Sequence, residues 1–282
     1  MKRQYKSELL LLLTAFIWGG AFVAQSVGTH FIGPWTFTCL RNVLAVIALF
    51  PVMKYFSRQE EKKEDTWKAG LIAGILLFSA SILQQIGIHY TTAGKAGFIT
   101  ALYIVLVPLF AHFLGQKITK MMWIAIGISL VGFYLLSMND SFSIANGDFL
   151  IFLCAIIFAF HILVIDHFEN VNPVKMAWIQ FLVCALLGLI PMLVFEQPTI
   201  DMISNAKYPI LYAGLLSSAV GYTLQIIGQK DADPTTATLI MSLESVFAFL
   251  LGTLYLHETI SLRGFIGCIL ILIGVILVQI KK

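Results

Sequence analysis

The chain has 282 residues, of which 59% are hydrophobic and 12% are charged, with a formal net charge of +3 and a mean hydropathy of +0.89. Soluble domains are closer to half apolar and a quarter charged, and one of this length could not bury so much apolar surface. The composition therefore excludes an ordinary soluble domain and indicates a chain that resides in lipid.

Apolar runs long enough to cross a bilayer follow one another along nearly the whole chain. About 20 apolar residues cross the hydrocarbon core. In chain order, the ten predicted spans are 8–27, 34–53, 68–89, 95–114, 121–138, 148–165, 173–195, 208–228, 235–256 and 263–280. The gaps between them are too short for a soluble domain. The sequence therefore predicts an all-α integral membrane protein with ten transmembrane helices.

The cysteines give no sign of a metal site. Each lies alone in a separate predicted span, and none has the spacing of a metal-ligand set or of a C-x-x-C motif. They are Cys39, Cys154, Cys184 and Cys268. We expect them to be small packing residues. No metal, cofactor, catalytic residue or nucleic-acid partner is predicted.

Basic residues are divided unevenly between the two sets of predicted loops. With the N-terminus on the cytoplasmic side, the segments on that side hold fourteen Lys and Arg residues, and the segments on the other side hold Lys95, Lys207 and Arg263. Cytoplasmic loops of membrane proteins collect Lys and Arg. The sequence therefore predicts a multi-pass protein of the cytoplasmic membrane with both termini in the cytoplasm.

The two halves of the chain resemble one another at an offset of about 140 residues, where 7–19 lies over 147–159. Pairs that coincide at offsets of 139–142 are Pro34 and Pro173, Gly87 and Gly228, Tyr103 and Glu244, and Gly132 and Gly274. Each half holds five spans, so the second half would enter the membrane from the opposite side. The sequence predicts two inverted-topology five-helix repeats, a first half of residues 1–141 and a second half of residues 142–282.

Three stretches carry a family resemblance. They are AGKAGFITALYIVLVPLF at 93–110, GDFLIFLCAIIFAFHILVIDHF at 147–168 and QKDADPTTATLIMSLESVFAFLLGTLYLHETI at 229–260. They resemble the fourth, sixth and ninth spans of the drug/metabolite transporter (DMT) superfamily, EamA type. The resemblance implies a ten-helix fold, a central cavity and transport of small metabolites. The family usually has Pro after the Glu of the ninth span, where this chain has Ser245, so a straighter ninth helix is expected.

Polar side chains recur at helical spacing in the first, third, fourth, sixth, eighth and ninth spans. Unsatisfied polar groups are costly in lipid, so these spans are predicted to enclose a shared interior, with the fifth and tenth at the periphery. For any single Ser or Gln, a bond between packed helices is the commoner role, and a hydrogen-bonded neutral state is favoured for His161. The candidate substrate-binding residues are Trp18, Gln84, Gln85, Tyr103, His161, Tyr222, Gln225 and Glu244.

Two ionisable residues, Arg41 and Glu244, lie deep within spans. A charge at the bilayer midplane costs at least about 2.5–3.5 kcal/mol on insertion scales. Depths counted along the helices bring the two within reach of one another. Three roles are open for Glu244: an ion pair with Arg41, which is favoured, binding of a cationic or amino group of the substrate, or carriage of a coupling proton. Glu196 and Glu258 fall near the interfaces, where we expect them to be hydrated.

The favoured function is secondary active transport of a small organic metabolite, an amino acid or a related compound, by alternating access, with export as a candidate direction. The expected partners are the substrate, the lipid bilayer and a candidate coupling proton. The alternative is a membrane-embedded enzyme or a channel without a soluble domain. The chain lacks G-x-x-x-x-G-K-[ST], which argues against ATP hydrolysis of its own. The sequence leaves the substrate, the coupling ion and the oligomeric state open.

Overall fold

The computed structural model describes residues 2–56, 65–113, 119–137, 145–168, 170–231 and 234–279. These residues form α-helices and π-helical segments, and no strand occurs among them. The α-helices are α1 (Lys2–Gly28), α2 (Pro34–Phe56), α3 (Thr66–Ile88), α4 (Ala93–Thr100), α5 (Tyr103–Phe113), α6 (Lys120–Ser137), α7 (Asn146–His167), α8 (Pro173–Pro191), α9 (Ile200–Asn205), α10 (Lys207–Leu211), α11 (Thr223–Asp231), α12 (Pro234–Leu256) and α13 (Leu262–Gln279). The π-helical segments are Met192–Glu196 and Tyr212–Tyr222.

Apolar helices cover every predicted span. Within the described residues, seven helical segments are long and apolar enough to cross a membrane, and three shorter apolar stretches lie in α6, α12 and α13. Helices suit this setting because they satisfy their own backbone hydrogen bonds where water is absent. The all-α membrane fold is therefore confirmed. The predicted span ends at 114, 138 and 280, and the predicted boundary after residue 141, lie outside the described residues.

The fourth span is broken, although a single helix was predicted. α4 ends at Thr100 and α5 begins at Tyr103, and residues 101–102 form a turn between them. Pro108 causes the irregularity, because it has no N–H group for the carbonyl of Ile104 four residues earlier. The amides of residues 102, 104 and 105 bond instead to carbonyls three residues back, each at 3.1 Å. The break places Thr100 and Tyr103 on either side of a bend.

The eighth span contains a π-helical segment that the apolar pattern did not predict. A π-helix bonds each N–H to the carbonyl five residues back, and such turns are frequent at functional sites. Side chains of α1 bind two of its carbonyls. Trp18 Nε1 donates to Ser217 O at 3.3 Å, and Thr14 Oγ1 donates to Gly221 O at 3.4 Å. These bonds fasten α1 to the Tyr212–Tyr222 segment.

The helices pack in a consistent pattern. α1 packs against α12, α11 and the π segment of the eighth span, and α3 packs against α7 and α8. α2 packs against α8 and the same π segment, and α6 packs chiefly against α13, as expected for the fifth and tenth spans. α12 continues unbroken through Ser245, which agrees with the straighter ninth helix expected from the absence of Pro there.

Glycines let two pairs of helices approach closely. A Cβ atom on Gly74 of α3 would lie 2.9 Å from the carbonyl oxygen of Gln180 on α8. A Cβ atom on Gly214 would lie 2.9 Å from the carbonyl oxygen of Arg41 on α2. Gly214 follows Gly74 by 140 residues, and Gln180 follows Arg41 by 139. The same crossing therefore recurs with the two halves exchanged.

The helix ends define two faces of the bundle. The distal face holds the loop 29–33 between α1 and α2, and the proximal face holds Asp65 at the start of α3. At the distal face, the carboxylate of Glu196 accepts hydrogen bonds from the N–H groups of Trp35 at 2.9 Å and Thr36 at 2.7 Å. These donors belong to the first turn of α2, where free N–H groups and the helix dipole favour an anion.

A second carboxylate binds the N-terminus of α4 in the same way. Glu258 accepts hydrogen bonds from Ala93 N at 2.6 Å and Gly94 N at 2.9 Å. Beside it, the Lys95 ammonium lies 2.6 Å from the carboxylate of Asp148 on α7. Each contact joins the second half of the chain to the first. The expectation that the two glutamates near the interfaces are merely hydrated is therefore wrong.

Left-handed backbone accompanies both capping carboxylates. Gln197, directly after Glu196, has φ of 43°, and His257, directly before Glu258, has φ of 54°. Residues other than glycine adopt this region at a steric cost. The chain reversals that aim the two carboxylates at helix N-termini are therefore held by the contacts that they make.

We expect Glu258→Gln to lower the thermal midpoint of the purified protein by a few degrees. The amide that replaces the carboxylate has one acceptor oxygen for two N–H donors and no charge, a loss of about 1–3 kcal/mol. The measurement is thermal unfolding in detergent, with the exposed acid Asp201 changed to Asn as the matched control. Equal midpoints for Glu258→Gln and Asp201→Asn would contradict a capping role.

Candidate functional site

A cavity lies in the middle of the bundle, beside the break in the fourth span and the π segment of the eighth. Its volume is about 30 Å³, enough for one or two water molecules. It is lined by Trp18, Ala21, Phe22, Gln25, Arg41, Gln84, Thr100, Tyr103, Phe158, His161, Ile162, Ser217, Tyr222, Gln225 and Glu244. These side chains come from both halves of the chain, and we call the space that they enclose the central cavity.

The structure brings most of the candidate residues together. Those that line the central cavity are Trp18, Gln84, Tyr103, His161, Tyr222, Gln225 and Glu244, together with Arg41. Gln85 does not line it, because its Nε2 donates to the carbonyl of Gln25 on α1 at 3.3 Å. Arg41 also adds the second span to the six spans that were predicted to enclose the interior.

Three polar lining residues were not among the candidates: Gln25, Thr100 and Ser217. Helical spacing places Gln25 and Thr100 on the polar faces of their spans, and this signal could have identified them. Ser217 has no such signal, because it lies in the π segment, where the helical phase departs from the regular α-helix. Thr100 accepts a hydrogen bond from Gln84 Nε2 at 3.1 Å, which joins the third and fourth spans at the cavity wall.

Arg41 is buried and binds two serine hydroxyls. Its Nε donates to Ser218 Oγ at 3.0 Å, and its Nη2 donates to Ser217 Oγ at 3.2 Å. Among the ion pairs of the described residues, none joins Arg41 to Glu244. The predicted ion pair is thus not present. Depth along two helices fixes only the level of two side chains in the membrane, and their lateral separation depends on packing.

Glu244 sits near the middle of α12 with 3% of its surface exposed. Its Oε1 makes no hydrogen bond within the described structure, and the same is true of the Tyr103 hydroxyl. Tyr103 is close enough for its phenol to interact electrostatically with the carboxylate. A buried polar atom without a partner is costly. The carboxylate oxygen and the hydroxyl are therefore both free to bind a polar group that enters the cavity.

Aromatic side chains form one wall of the cavity around Tyr222. Its ring centroid lies 4.7 Å from that of Trp18, 5.6 Å from that of Phe181 and 6.1 Å from that of His161. His161 Nε2 lies 3.1 Å from Gln180 Oε1, so the histidine is hydrogen-bonded, as favoured from the sequence. Rings packed at these distances form a stiff apolar surface beside the charged groups.

The wall as a whole suits a small polar solute. The described polar atoms that line the cavity and have no hydrogen-bond partner include Gln25 Oε1, Tyr103 Oη, His161 Nδ1, Gln225 Oε1 and Glu244 Oε1. Such atoms gain a partner when a solute with polar groups binds among them. Within the part of the chain that the structure describes, no group of three or more His, Cys, Asp or Glu residues could hold a metal ion.

Known proteins resemble this chain over its whole length. The model of the EamA-like transporter family matches residues 5–138 and 145–280. An uncharacterized transporter of Archaeoglobus fulgidus is 30% identical over 100% of this chain and 88% of that protein. YoaV, an uncharacterized transporter of Bacillus subtilis, is 22% identical over 96% and 95%, and a chloroplastic WAT1-related protein of Arabidopsis thaliana is 24% identical over 96% and 68%. One crystal structure superposes with a TM-score of 0.72 at 19% identity, covering 98% of this chain and 96% of the other.

Proposed function

Because the chain belongs to the EamA-like transporter family, in the DMT superfamily, we propose that it is a secondary active transporter of an amino acid or a related compound. It works in the cytoplasmic membrane by alternating access. The observation that carries the proposal is the central cavity, which contains both Arg41 and Glu244 without an ion pair between them. Two opposite charges held apart at one site are suited to a solute that carries both signs.

The two charged groups divide the site into two ends. A guanidinium has five N–H donors, and the serine hydroxyls occupy two groups of Arg41, which leaves donors for a carboxylate. At the other end, Glu244 Oε1 is free to accept from an ammonium group. The aromatic wall around Tyr222 lies beside both groups and can pack against an apolar side chain. A zwitterionic amino acid or a close relative matches these three features.

Two of the three roles considered for Glu244 remain. With no ion pair to Arg41, the carboxylate either binds the amino group of the substrate or carries a coupling proton. Both roles require a group that water or substrate can reach from the cavity, and Glu244 is one of its lining residues. The two roles differ in a measurable way, because a proton carrier is needed only when a proton gradient drives transport.

The proposal includes two inverted five-helix repeats, residues 1–141 and 142–282. The family model matches twice, and the two matches fall within these limits. The crossing of Gly74 with Gln180 and that of Gly214 with Arg41 support the same arrangement, because each partner is replaced by its equivalent at an offset of 139–140 residues. Repeats of this kind place a substrate site at their interface, which is where the central cavity lies.

The central cavity must widen before it can hold such a substrate. A cavity of about 30 Å³ accepts water, whereas pockets for larger ligands are many times greater. Two irregular segments at its wall provide places to bend. They are the turn at residues 101–102 and the π segment Tyr212–Tyr222. Short irregular segments commonly absorb the backbone changes that open and close a site.

Counterflow in proteoliposomes tests the proposed function. Vesicles that contain the purified protein and unlabelled amino acids are diluted into a mixture of the radiolabelled amino acids, and preloaded vesicles are used to measure flux in the opposite direction. We expect saturable accumulation of at least one amino acid, about tenfold above protein-free vesicles. Absence of flux for every amino acid under pH and sodium gradients would contradict the proposal, as would single-channel currents in planar bilayers.

A further inference from the structure

A pocket of about 380 Å³ opens at the distal face, between the α1–α2 loop and the end of α3. A much smaller pocket of about 10 Å³ lies at the proximal face, between the end of α7 and α11. We call them the distal mouth and the proximal mouth. Residues of the distal mouth include Ile32, Pro34, Ile86, His89 and Tyr90. Residues of the proximal mouth include Val171, Pro173, Ile226, Gln229 and Lys230.

The two mouths are built from equivalent positions of the two halves. On α3 and α11 an offset of 140 residues converts Ile86, His89 and Tyr90 into Ile226, Gln229 and Lys230. In the loops, an offset of 139 converts Ile32 and Pro34 into Val171 and Pro173. Two unrelated surface clefts would have no reason to share this correspondence at five positions. The mouths are therefore counterparts that differ chiefly in volume.

Each mouth lies one helical turn, about 5.4 Å, from the wall of the central cavity. On α1, Gln25 lines the cavity and Thr29 lines the distal mouth. On α11, Gln225 lines the cavity and Gln229 lines the proximal mouth. The cavity thus has one neighbour toward each face, and the connecting helices present polar side chains to both.

The two equivalent residues His89 and Gln229 are in contrasting environments. His89 is exposed, whereas Gln229 has only 7% of its surface exposed. Neither Nε2 nor Oε1 of Gln229 makes a hydrogen bond to the described protein atoms. An amide that is buried at this depth with no partner is poised for a state in which its surroundings open. The distal mouth is open in this structure, and the proximal mouth is closed around Gln229.

We propose that the distal and proximal mouths are the two ends of the transport path, and that His89 and Gln229 mark its constrictions. This inference rests on the proposed function and adds the route by which the substrate reaches the central cavity. Opening of one mouth accompanies closure of the other, because the two are made from equivalent parts of two halves packed on one cavity. The structure is the state with the distal mouth open.

Thiol labelling of the full-length protein in nanodiscs measures how open each mouth is. The four cysteines are buried and are replaced by alanine, and then single cysteines are introduced as His89→Cys and Gln229→Cys. The neighbouring exposed positions, Tyr90→Cys and Lys230→Cys, give the matched reference rates for a water-soluble maleimide. We expect position 89 to react about as fast as position 90, and position 229 about tenfold slower than position 230, as for a minor open state.

Coupling between the mouths is tested by filling the distal one. In the Gln229→Cys background, His89→Trp should raise the labelling rate at position 229 about fivefold, because a bulky ring disfavours the state with the distal mouth open. Ile86→Trp is a second filling variant in case the first does not fold. Phe113→Trp, at an exposed position on α5, is the control and should leave the rate unchanged.

Labelling at position 229 that is as fast as at position 230, or a rate that no distal tryptophan changes in folded protein, would overturn the inference. These readouts need no substrate. A protein with coupled mouths but no amino-acid flux would refute the proposed substrate class and leave the path intact. Flux without coupled mouths would refute the path alone.

Discussion

Glu244→Gln is expected to reduce amino-acid counterflow by about tenfold or more while the protein stays folded. The substitution keeps the size of the side chain and removes the charge that would bind an ammonium group or carry a proton. Charge-assisted hydrogen bonds contribute about 1.5–3 kcal/mol, which corresponds to this loss. The measurements are initial counterflow rates in proteoliposomes and the size-exclusion profile of each variant.

Two comparisons make the Glu244 result informative. Asp201→Asn makes the same chemical change at an exposed acid on α9 and should leave counterflow unchanged. If Glu244→Gln loses accumulation driven by a proton gradient but keeps exchange, the carboxylate carries the proton. If both are lost, it binds the substrate. Full activity in both assays would exclude Glu244 from the site.

Gly74→Leu is expected to remove most of the folded, monodisperse protein. A Cβ atom at this position would lie 2.7 Å from Val183 Cβ and 2.9 Å from the carbonyl oxygen of Gln180. The larger side chain must therefore separate α3 from α8, against backbone that cannot yield as a flexible side chain would. Overpacking costs about 1–3 kcal/mol and more where backbone must move. Fluorescence-detected size exclusion of membrane extracts measures the loss.

Gly127→Leu is the matched control for the helix crossing. Gly127 is exposed on α6, and a Cβ atom there would meet nothing within 4 Å. The same substitution should therefore leave the monodisperse fraction unchanged. Gly214→Leu, at the equivalent crossing against α2, should behave like Gly74→Leu. A folded Gly74→Leu protein, or equal losses for Gly74→Leu and Gly127→Leu, would show that the close approach is not required.

Hydrophobicity and helical spacing were sufficient to predict the helices and most of the cavity wall. Polar residues are so unfavourable in lipid that Gln84, Gln225 and Glu244 could be assigned to an interior from their surroundings alone. The same reasoning put the fifth and tenth spans at the periphery, where α6 and α13 pack together. Spacing along one helix carries this information because each helix in a membrane must choose between lipid and protein.

Features that depend on contacts between distant segments were not predictable in this way. The partners of Arg41 are serines of the π segment, and neither the π geometry nor the lateral position of Arg41 follows from an apolar run. Glu196 and Glu258 looked like hydrated interface residues because their partners are N–H groups about 160 residues away in the chain, and backbone donors have no signature in side-chain composition. Pro108 did signal the break in the fourth span.

The π segment of the eighth span also makes its residue count a structural quantity. A π turn amounts to an extra residue within an α-helix, and each residue turns an α-helix by about 100°. Removing one residue between Tyr212 and Tyr222 would restore a regular helix but swing the downstream part around its axis. Gln225 and Gln229 would then point away from the solute route. Length is therefore under tighter constraint here than identity, and substitutions should be tolerated where deletions are not.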